Sequence, residues 1–152
     1  MNLLDLRPYL FGVLGLGVAA FLWFVVRGLG ERMGGWDALA KSYGVDELPA
    51  GERFRSASAR MGDRLAPVHY RNILNIVVNP AGLGLSMQSV FGKAPSIFIP
   101  WQHVESAASS RAVFVHTAVI RVRGQWPLIS LYGRAAASVL QAYGHSLSQR
   151  AV

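Results

Sequence analysis

The segment Val68–Asn79, with the sequence VHYRNILNIVVN, decides the fold class because its side chains alternate between apolar and polar. The apolar side chains of Tyr70, Leu74, Ile76 and Val78 share one face of an extended chain, and most polar ones fall on the other face. This period of two predicts a long β-strand with one buried face. Strands of this kind are typical of antiparallel sheets.

Further strands and two helices are predicted on either side of this segment. Residues 79–82, with the sequence NPAG, have the chemistry of a tight turn and end the long strand. The other predicted strands are Glu52–Arg60, Gly82–Ser89, Ser96–Trp101, Val104–Ser109, Ala112–Arg123 and Trp126–Tyr132, preceded by a short helix over Trp36–Tyr43 and followed by an amphipathic helix over Gly133–Gln149. Seven short strands in series and a C-terminal helix predict an α+β, mostly β domain whose apolar sheet face is covered by that helix.

The N-terminal part of the chain has a different composition. Tyr9–Val26 reads YLFGVLGLGVAAFLWFVV, eighteen residues without a charge. As a helix this run spans about 27 Å, close to the thickness of a bilayer core. The sequence therefore predicts a transmembrane anchor over residues 1–27, a linker with the short helix over residues 28–51, and the β domain over residues 52–152.

Three other interpretations of the apolar run are weaker. A cleaved signal peptide requires a small-x-small cleavage site, whereas this run ends in Trp-Phe-Val-Val followed by Arg27. A buried helix of a globular domain would normally carry a polar face, and this run has none. Gly15, Gly17 and Ala20 match the glycine pattern of dinucleotide-binding loops, but no strand precedes them.

The charges that flank the apolar run predict an orientation. Arg27, Arg32 and Lys41 follow the run, and only Arg7 precedes it. By the positive-inside rule the C-terminal domain is expected in the cytoplasm, beneath a bacterial inner membrane.

Small side chains within the run predict a helix-packing face. Gly12, Gly15 and Ala19 fall on about one side of a helix, where they would permit close approach of a second helix. That helix would belong to a membrane-protein partner or to a second copy in a homodimer.

The net charge of +7 is confined to the C-terminal part of the chain. Residues 1–63 hold seven basic and seven acidic residues, whereas residues 64–152 hold eight basic residues and Glu105 as their single acid. Such a surface attracts anionic lipid headgroups. The candidate membrane-facing or partner-facing residues are Arg111, Arg121, Arg123 and Arg134. No nucleic-acid-binding motif accompanies the positive charge, so nucleic acid is not an expected partner.

The sequence offers little catalytic chemistry. It contains no cysteine, which excludes thiolate catalysis, disulfides and cysteine-ligated metals. Its four histidines are scattered, and the best local candidate for a metal or acid–base pair is His103 with Glu105, two residues apart on a predicted strand and without a third ligand. We therefore predict no enzyme activity, no cofactor and no metal.

Three short motifs carry a resemblance to a known group. They are Gly35-Trp36-x-x-Leu39-Ala40-x-x-Tyr43, Gly82-Leu83-x-Leu85-Ser86 and Ile99-Pro100-Trp101, found together with the apolar N-terminal run. The chain thereby resembles small bacterial single-pass membrane proteins of unknown function whose domain is similar to pleckstrin-homology (PH) domains, including GRAM and bacterial PH-type domains. The resemblance implies a bent, antiparallel, seven-stranded barrel closed by a C-terminal helix. It also implies that the domain binds lipids or proteins.

Together these observations predict a membrane-anchored, non-catalytic binding or scaffold module. It would dock on anionic lipid headgroups or on a membrane-protein partner. The alternative is an accessory structural subunit of a larger membrane protein complex, in which the N-terminal helix packs into the assembly.

Overall fold

A computed structural model provides the coordinates of the protein. It describes residues 12–23, 25, 35–63, 67–87, 94–112, 115–124 and 127–150. The side chains of residues 111, 112 and 115 are not among those described.

The described chain contains three helices and eight strands. In chain order these are helix α1 over residues 12–23, α2 (Trp36–Tyr43), β1 (Gly44–Val45), β2 (Glu52–Gly62), β3 (Val68–Asn79), β4 (Gly82–Met87), β5 (Ser96–Pro100), a 3-10 turn (Trp101–His103), β6 (Val104–Ala112), β7 (Val115–Val122), β8 (Leu128–Tyr132) and α3 (Arg134–Arg150). All strands belong to one antiparallel sheet in the order β1-β5-β4-β3-β2-β8-β7-β6. Most neighbours in the sheet are also neighbours in sequence, as short connections dictate.

Helices α2 and α3 pack against the apolar side of the sheet. Trp36 on α2 is buried, and its ring lies 5.9 Å from that of Tyr70 on β3. On α3, the ring of Tyr143 lies 6.1 Å from that of Trp101, which is buried in the 3-10 turn that follows β5. Both aromatic pairs belong to one hydrophobic core, to which strands β2 to β8 and helices α2 and α3 contribute.

Strand β2 bends in its middle and changes partners along its length. Its pairing with β3 is interrupted twice, between Phe54 and Ala57 and again between Ala57 and Ala59, and Ser56 has a positive φ of 52°. Bulges of this kind bend a strand and increase its twist. With β8, β2 pairs only through Ala59–Gly62, so its first half diverges from β8.

Two predicted elements are confirmed, with the same first and last residues. The α2 helix and the strand over Val68–Asn79 have the predicted bounds.

The predicted fold class, however, is wrong in the number of strands and in the closure of the sheet. The sheet has eight strands instead of seven, because Gly44–Val45 adds a short strand beside β5. Its end strands β1 and β6 do not pair with each other within the described residues, so the seven-stranded barrel is not formed.

The predicted transmembrane helix is also wrong. Within the run Tyr9–Val26 the structure describes residues 12–23 and 25, which are helical. No helix in the described part of the chain is long and apolar enough to cross a membrane. Residues 1–11 and 26–34 lie outside the described residues, so Arg27 and Arg32, which carried the predicted orientation, are not described.

Candidate anion-binding site

Two of the four arginines selected from the sequence lie at one end of the sheet. Arg111 on β6 stands opposite His116 on β7 in the strand register. The backbone N–H of Gly133 donates a hydrogen bond to the carbonyl oxygen of His116 at 2.9 Å, and Arg134 follows immediately at the start of α3. The backbones at Arg111 and Arg134 are therefore brought to the same end of the β6–β7 hairpin.

The other two arginines lie at the opposite end of that hairpin. Arg121 is five residues beyond His116 along β7, a distance of about 17 Å for an extended strand. Arg123 follows the strand, and its backbone N–H donates to the carbonyl oxygen of His103 at 2.8 Å. The backbones of the four predicted residues thus lie in two separated pairs.

A cleft opens where the first half of β2 diverges from β8. We call it the arginine cleft because three exposed arginines, Arg53, Arg55 and Arg134, contribute to its wall. Its volume is about 440 Å³, and the remaining lining residues are Glu52, Phe54, Ala57, Tyr132 and Ala135. The cleft therefore joins basic side chains from two elements that are about eighty residues apart in sequence.

Local sequence explains why Arg53 and Arg55 face outward. Phe54 between them is half-buried and packs against the core, and neighbouring residues of a strand point to opposite sides. The bend that follows is held by Ser58, whose hydroxyl donates to Oδ1 of Asn72 at 3.1 Å and accepts from the Asn72 backbone N–H at 3.0 Å. Asn72 has a positive φ of 55°, which asparagine adopts more readily than most residues.

The arginine cleft has an excess of positive charge. Its three arginines face one acid, Glu52, whose carboxylate accepts a hydrogen bond from the hydroxyl of Ser138 on α3. Guanidinium groups match the oxygen atoms of phosphate or carboxylate in a bidentate geometry. The arrangement can therefore hold an anionic group.

Arg53 and Arg55 also line a second and larger cavity, of about 600 Å³, on the outer face of β2, β3 and β4. There the two arginines are accompanied by two acids, Asp46 and Glu47, so the opposite charges are equal in number. Of the two cavities, the arginine cleft has the greater positive excess and is the better candidate for an anion site.

The predicted helix-packing face has no partner within the described residues. Gly12, Gly15 and Ala19 are exposed on α1. A Cβ atom added at Gly12 or Gly15 would meet nothing within 4 Å. Packing of this face against another helix stays a prediction.

His103 and Glu105 do not form the strand pair that the sequence predicted. His103 lies in the 3-10 turn before β6, and its ring lies 5.6 Å from that of Tyr43. Among the described residues no group of three or more histidine or acidic side chains is placed to hold a metal ion.

Sequence reasoning missed Arg53 and Arg55 as site residues. The sequence shows that Arg53 and Arg55 alternate with Phe54. They were not selected because they belong to residues 1–63, whose basic and acidic residues are equal in number. The local excess arises only because β2 leaves β8 and exposes these side chains beside Arg134.

No protein-family model matches the chain, and no curated protein matches it. The resemblance to PH-like domains accordingly rests on the motifs of the sequence alone.

Proposed function

We propose that the described domain is a non-catalytic binding module that docks, through the arginine cleft, on the phosphate groups of anionic lipid headgroups. The observation that carries this proposal is the convergence of Arg53, Arg55 and Arg134 on one cavity that contains a single acid. The PH-like resemblance, which implies lipid or protein binding, is consistent with it.

The chemistry of the cleft suits a phosphate at a surface better than a buried small molecule. All three arginines are exposed, so their charge acts on an approaching anionic surface as well as on a group inside the cleft. A basic residue near an anionic bilayer contributes about 1 kcal/mol of attraction, which salt screens. Three such residues should increase the affinity for an anionic bilayer roughly a hundredfold.

Vesicle binding of the full chain tests this function. We expect binding to phosphatidylcholine vesicles to increase when phosphatidylglycerol is included, and the increase to fall as salt is raised. Replacing Arg53, Arg55 and Arg134 together by Gln should remove most of that increase.

The matched control removes the same charge elsewhere. Arg121, Arg123 and Arg150 are also exposed, but they do not line the arginine cleft. Replacing these three by Gln should preserve most of the response to anionic lipid. Equal losses in the two triple variants would show that only net charge matters, and would refute the cleft as the docking site.

A second candidate function is that of an accessory subunit of a larger assembly, and one observation favours it. Helix α1 exposes large apolar side chains, including Leu16 at 74%, Val13 at 71% and Phe21 at 67%. Exposed apolar surface of this extent is typical of a binding surface. A stable stoichiometric partner that co-purifies with the full chain and is lost in the double variant Leu16→Glu, Phe21→Glu would support this candidate.

A further inference from the structure

The larger cavity, on the outer face of the sheet, has charges of both signs on its walls. Arg53 and Arg55 line it from β2, and Asp46 and Glu47 line it from the segment that follows β1. We call it the outer cavity. Its volume of about 600 Å³ lies within the range of small-molecule sites, about 300–1,000 Å³. It therefore has room for a ligand with more than one charged group.

The two acids belong to a segment that crosses the outer face. Strand β1 lies beside β5, whereas β2, where the chain continues, lies beyond β4 and β3, so residues 46–51 cross these strands. Leu48 lies over β4, since a Cβ atom added at Gly84 would be 3.0 Å from its Cδ2 atom. Asp46 and Glu47 come just before Leu48 and form one wall of the outer cavity.

Half-buried polar side chains lie between the charged walls. The strand register places Asn75 on β3 opposite Ser86 on β4. Continuing the pairing of Leu85 with Ile97 by one residue places Ser86 opposite Ser96 on β5. These three polar residues form a row across neighbouring strands, and all of them line the outer cavity. Hydroxyl and amide groups donate and accept hydrogen bonds, so this row suits either end of a dipolar ligand.

The charged side chains of the outer cavity do not neutralise one another. Arg53, Arg55, Asp46 and Glu47 are all exposed, and within the described part of the chain none of them forms an ion pair. A guanidinium group binds the oxygen atoms of a phosphate, and a carboxylate accepts hydrogen bonds from an ammonium group. A ligand that carries both groups satisfies both walls, whereas a simple anion would be repelled by the two acids.

The lining also distinguishes between two kinds of cationic group. Quaternary ammonium groups, such as that of choline, are bound by aromatic side chains. None of the described residues that line the outer cavity is aromatic. A primary ammonium group instead donates hydrogen bonds, and the carboxylates of Asp46 and Glu47 can accept them. The lining therefore favours a primary ammonium group over a quaternary one.

We propose that the outer cavity is a second binding site, for a zwitterionic ligand that carries a phosphate and a primary ammonium group. The phosphate binds Arg53 and Arg55, and the ammonium group binds Asp46 and Glu47. Phosphoethanolamine has this chemistry, either free or as the headgroup of a phospholipid. The site differs from the arginine cleft, to which Arg134 contributes and neither of these acids does.

NMR titration of the full chain with soluble phosphoethanolamine tests this site. Phosphocholine is the matched probe, because it differs only in the methyl groups on its nitrogen. We expect phosphoethanolamine to bind about fivefold more tightly, since only its ammonium group donates hydrogen bonds to the acids. The backbone signals of Ser86 and Ser96 should shift during the titration. Equal affinity for the two probes would overturn the proposal.

Two double variants test the role of the acids. Asp46→Asn combined with Glu47→Gln should abolish the preference for phosphoethanolamine over phosphocholine. The matched control, Asp37→Asn combined with Glu105→Gln, removes the same charge from exposed residues outside the outer cavity and should keep the preference. A preference that is retained in both double variants, or lost in both, would contradict recognition by Asp46 and Glu47.

Vesicles distinguish a lipid headgroup from a free ligand. If the ligand is a lipid, replacing part of the phosphatidylcholine by phosphatidylethanolamine should increase vesicle binding, although the net charge is unchanged. If the ligand is free, only soluble phosphoethanolamine should bind. Each result supports the site and identifies the source of its ligand, and binding of neither form would overturn the site.

One further variant separates the outer cavity from the arginine cleft. Arg134→Gln should lower the response to phosphatidylglycerol and leave the preference for phosphoethanolamine unchanged, because Arg134 lines only the arginine cleft. A cleft-dependent response to phosphatidylglycerol without any preference for phosphoethanolamine would refute the outer cavity alone. The reverse result would refute the arginine cleft alone.

Discussion

The hydroxyl of Ser138 on helix α3 donates a hydrogen bond to the carboxylate of Glu52 at the start of strand β2. This bond joins the first half of β2 to α3, close to where β2 has left its neighbour β8. It also fixes the one acid of the arginine cleft beside three arginines. Glu52 therefore sets the net charge that an incoming anion meets.

Neutralising Glu52 should strengthen the binding of anionic vesicles. Glu52→Gln removes one negative charge next to three positive ones, and we expect a gain of about 1 kcal/mol, or roughly fivefold in affinity. Vesicle sedimentation at low salt measures this gain. Asp37→Asn, an exposed change on α2, is the charge-matched control and should have little effect. A similar gain in both variants would contradict a local role for Glu52.

Asn79 should contribute to stability through its side chain. Its Oδ1 accepts hydrogen bonds from the backbone N–H groups of Ala81 at 2.8 Å and Gly82 at 2.9 Å, and its Nδ2 donates to the carbonyl oxygen of Ala50 at 3.2 Å. Asn79→Ala removes all three bonds, and we expect the free energy of unfolding to fall by about 2 kcal/mol. Urea denaturation of the full chain measures this change.

A conservative variant separates the two functions of the Asn79 side chain. Asn79→Asp keeps the acceptor for Ala81 and Gly82 and loses the donor to Ala50, so it should cost no more than about 1 kcal/mol. A loss in Asn79→Asp as large as that in Asn79→Ala would show that the turn bonds contribute little.

The regular elements could be predicted because their patterns are local. The alternation in Val68–Asn79 and the helical stripe of Trp36–Tyr43 reflect which face each element buries, and both elements have the predicted bounds. Strand β1 was missed because two residues carry no periodicity. The apolar run near the N-terminus was interpreted from its hydropathy, its length and its flanking residues, and these local features do not give the surroundings of a helix.

The candidate site depends on relationships that are not local. Arg134 was selected from the sequence because of its place in the basic half of the chain. Its association with Arg53 and Arg55 results from the β-bulges of β2 and the short pairing between β2 and β8. Neither feature has a sequence pattern of its own, and register shifts are decided by packing across the sheet.

Two glycines near α3 should respond in opposite ways to the same substitution. Gly144 lies within the helix and Gly133 precedes it with a positive φ of 69°, and a Cβ atom at either position meets nothing within 4 Å. Gly144→Ala should raise the free energy of unfolding by about 0.5–1 kcal/mol, since alanine favours a helix interior. Gly133→Ala should lower it by about 1 kcal/mol, because the left-handed backbone strains an alanine. Chemical denaturation of both variants should give opposite signs, and a shared sign would contradict this account.

The bend at Ser56 should link stability to anion binding. Ser56 has a φ of 52°, and the bulge around it directs the first half of β2 toward the arginine cleft. Ser56→Gly adopts this backbone without strain and should leave vesicle affinity within about twofold. Ser56→Val should lower the free energy of unfolding by about 1–2 kcal/mol, because a β-branched residue disfavours a left-handed backbone.

The same Ser56→Val change should also reduce the response to anionic vesicles, since relief of the strain requires the bulge to shift and Arg55 to move with it. Ser130→Val on β8 is the matched control, because Ser130 is not among the described residues with positive φ. It should change neither vesicle affinity nor stability by as much. A Ser56→Val variant that is destabilised yet binds anionic vesicles like the unmodified chain would show that the arginine cleft does not depend on this bend.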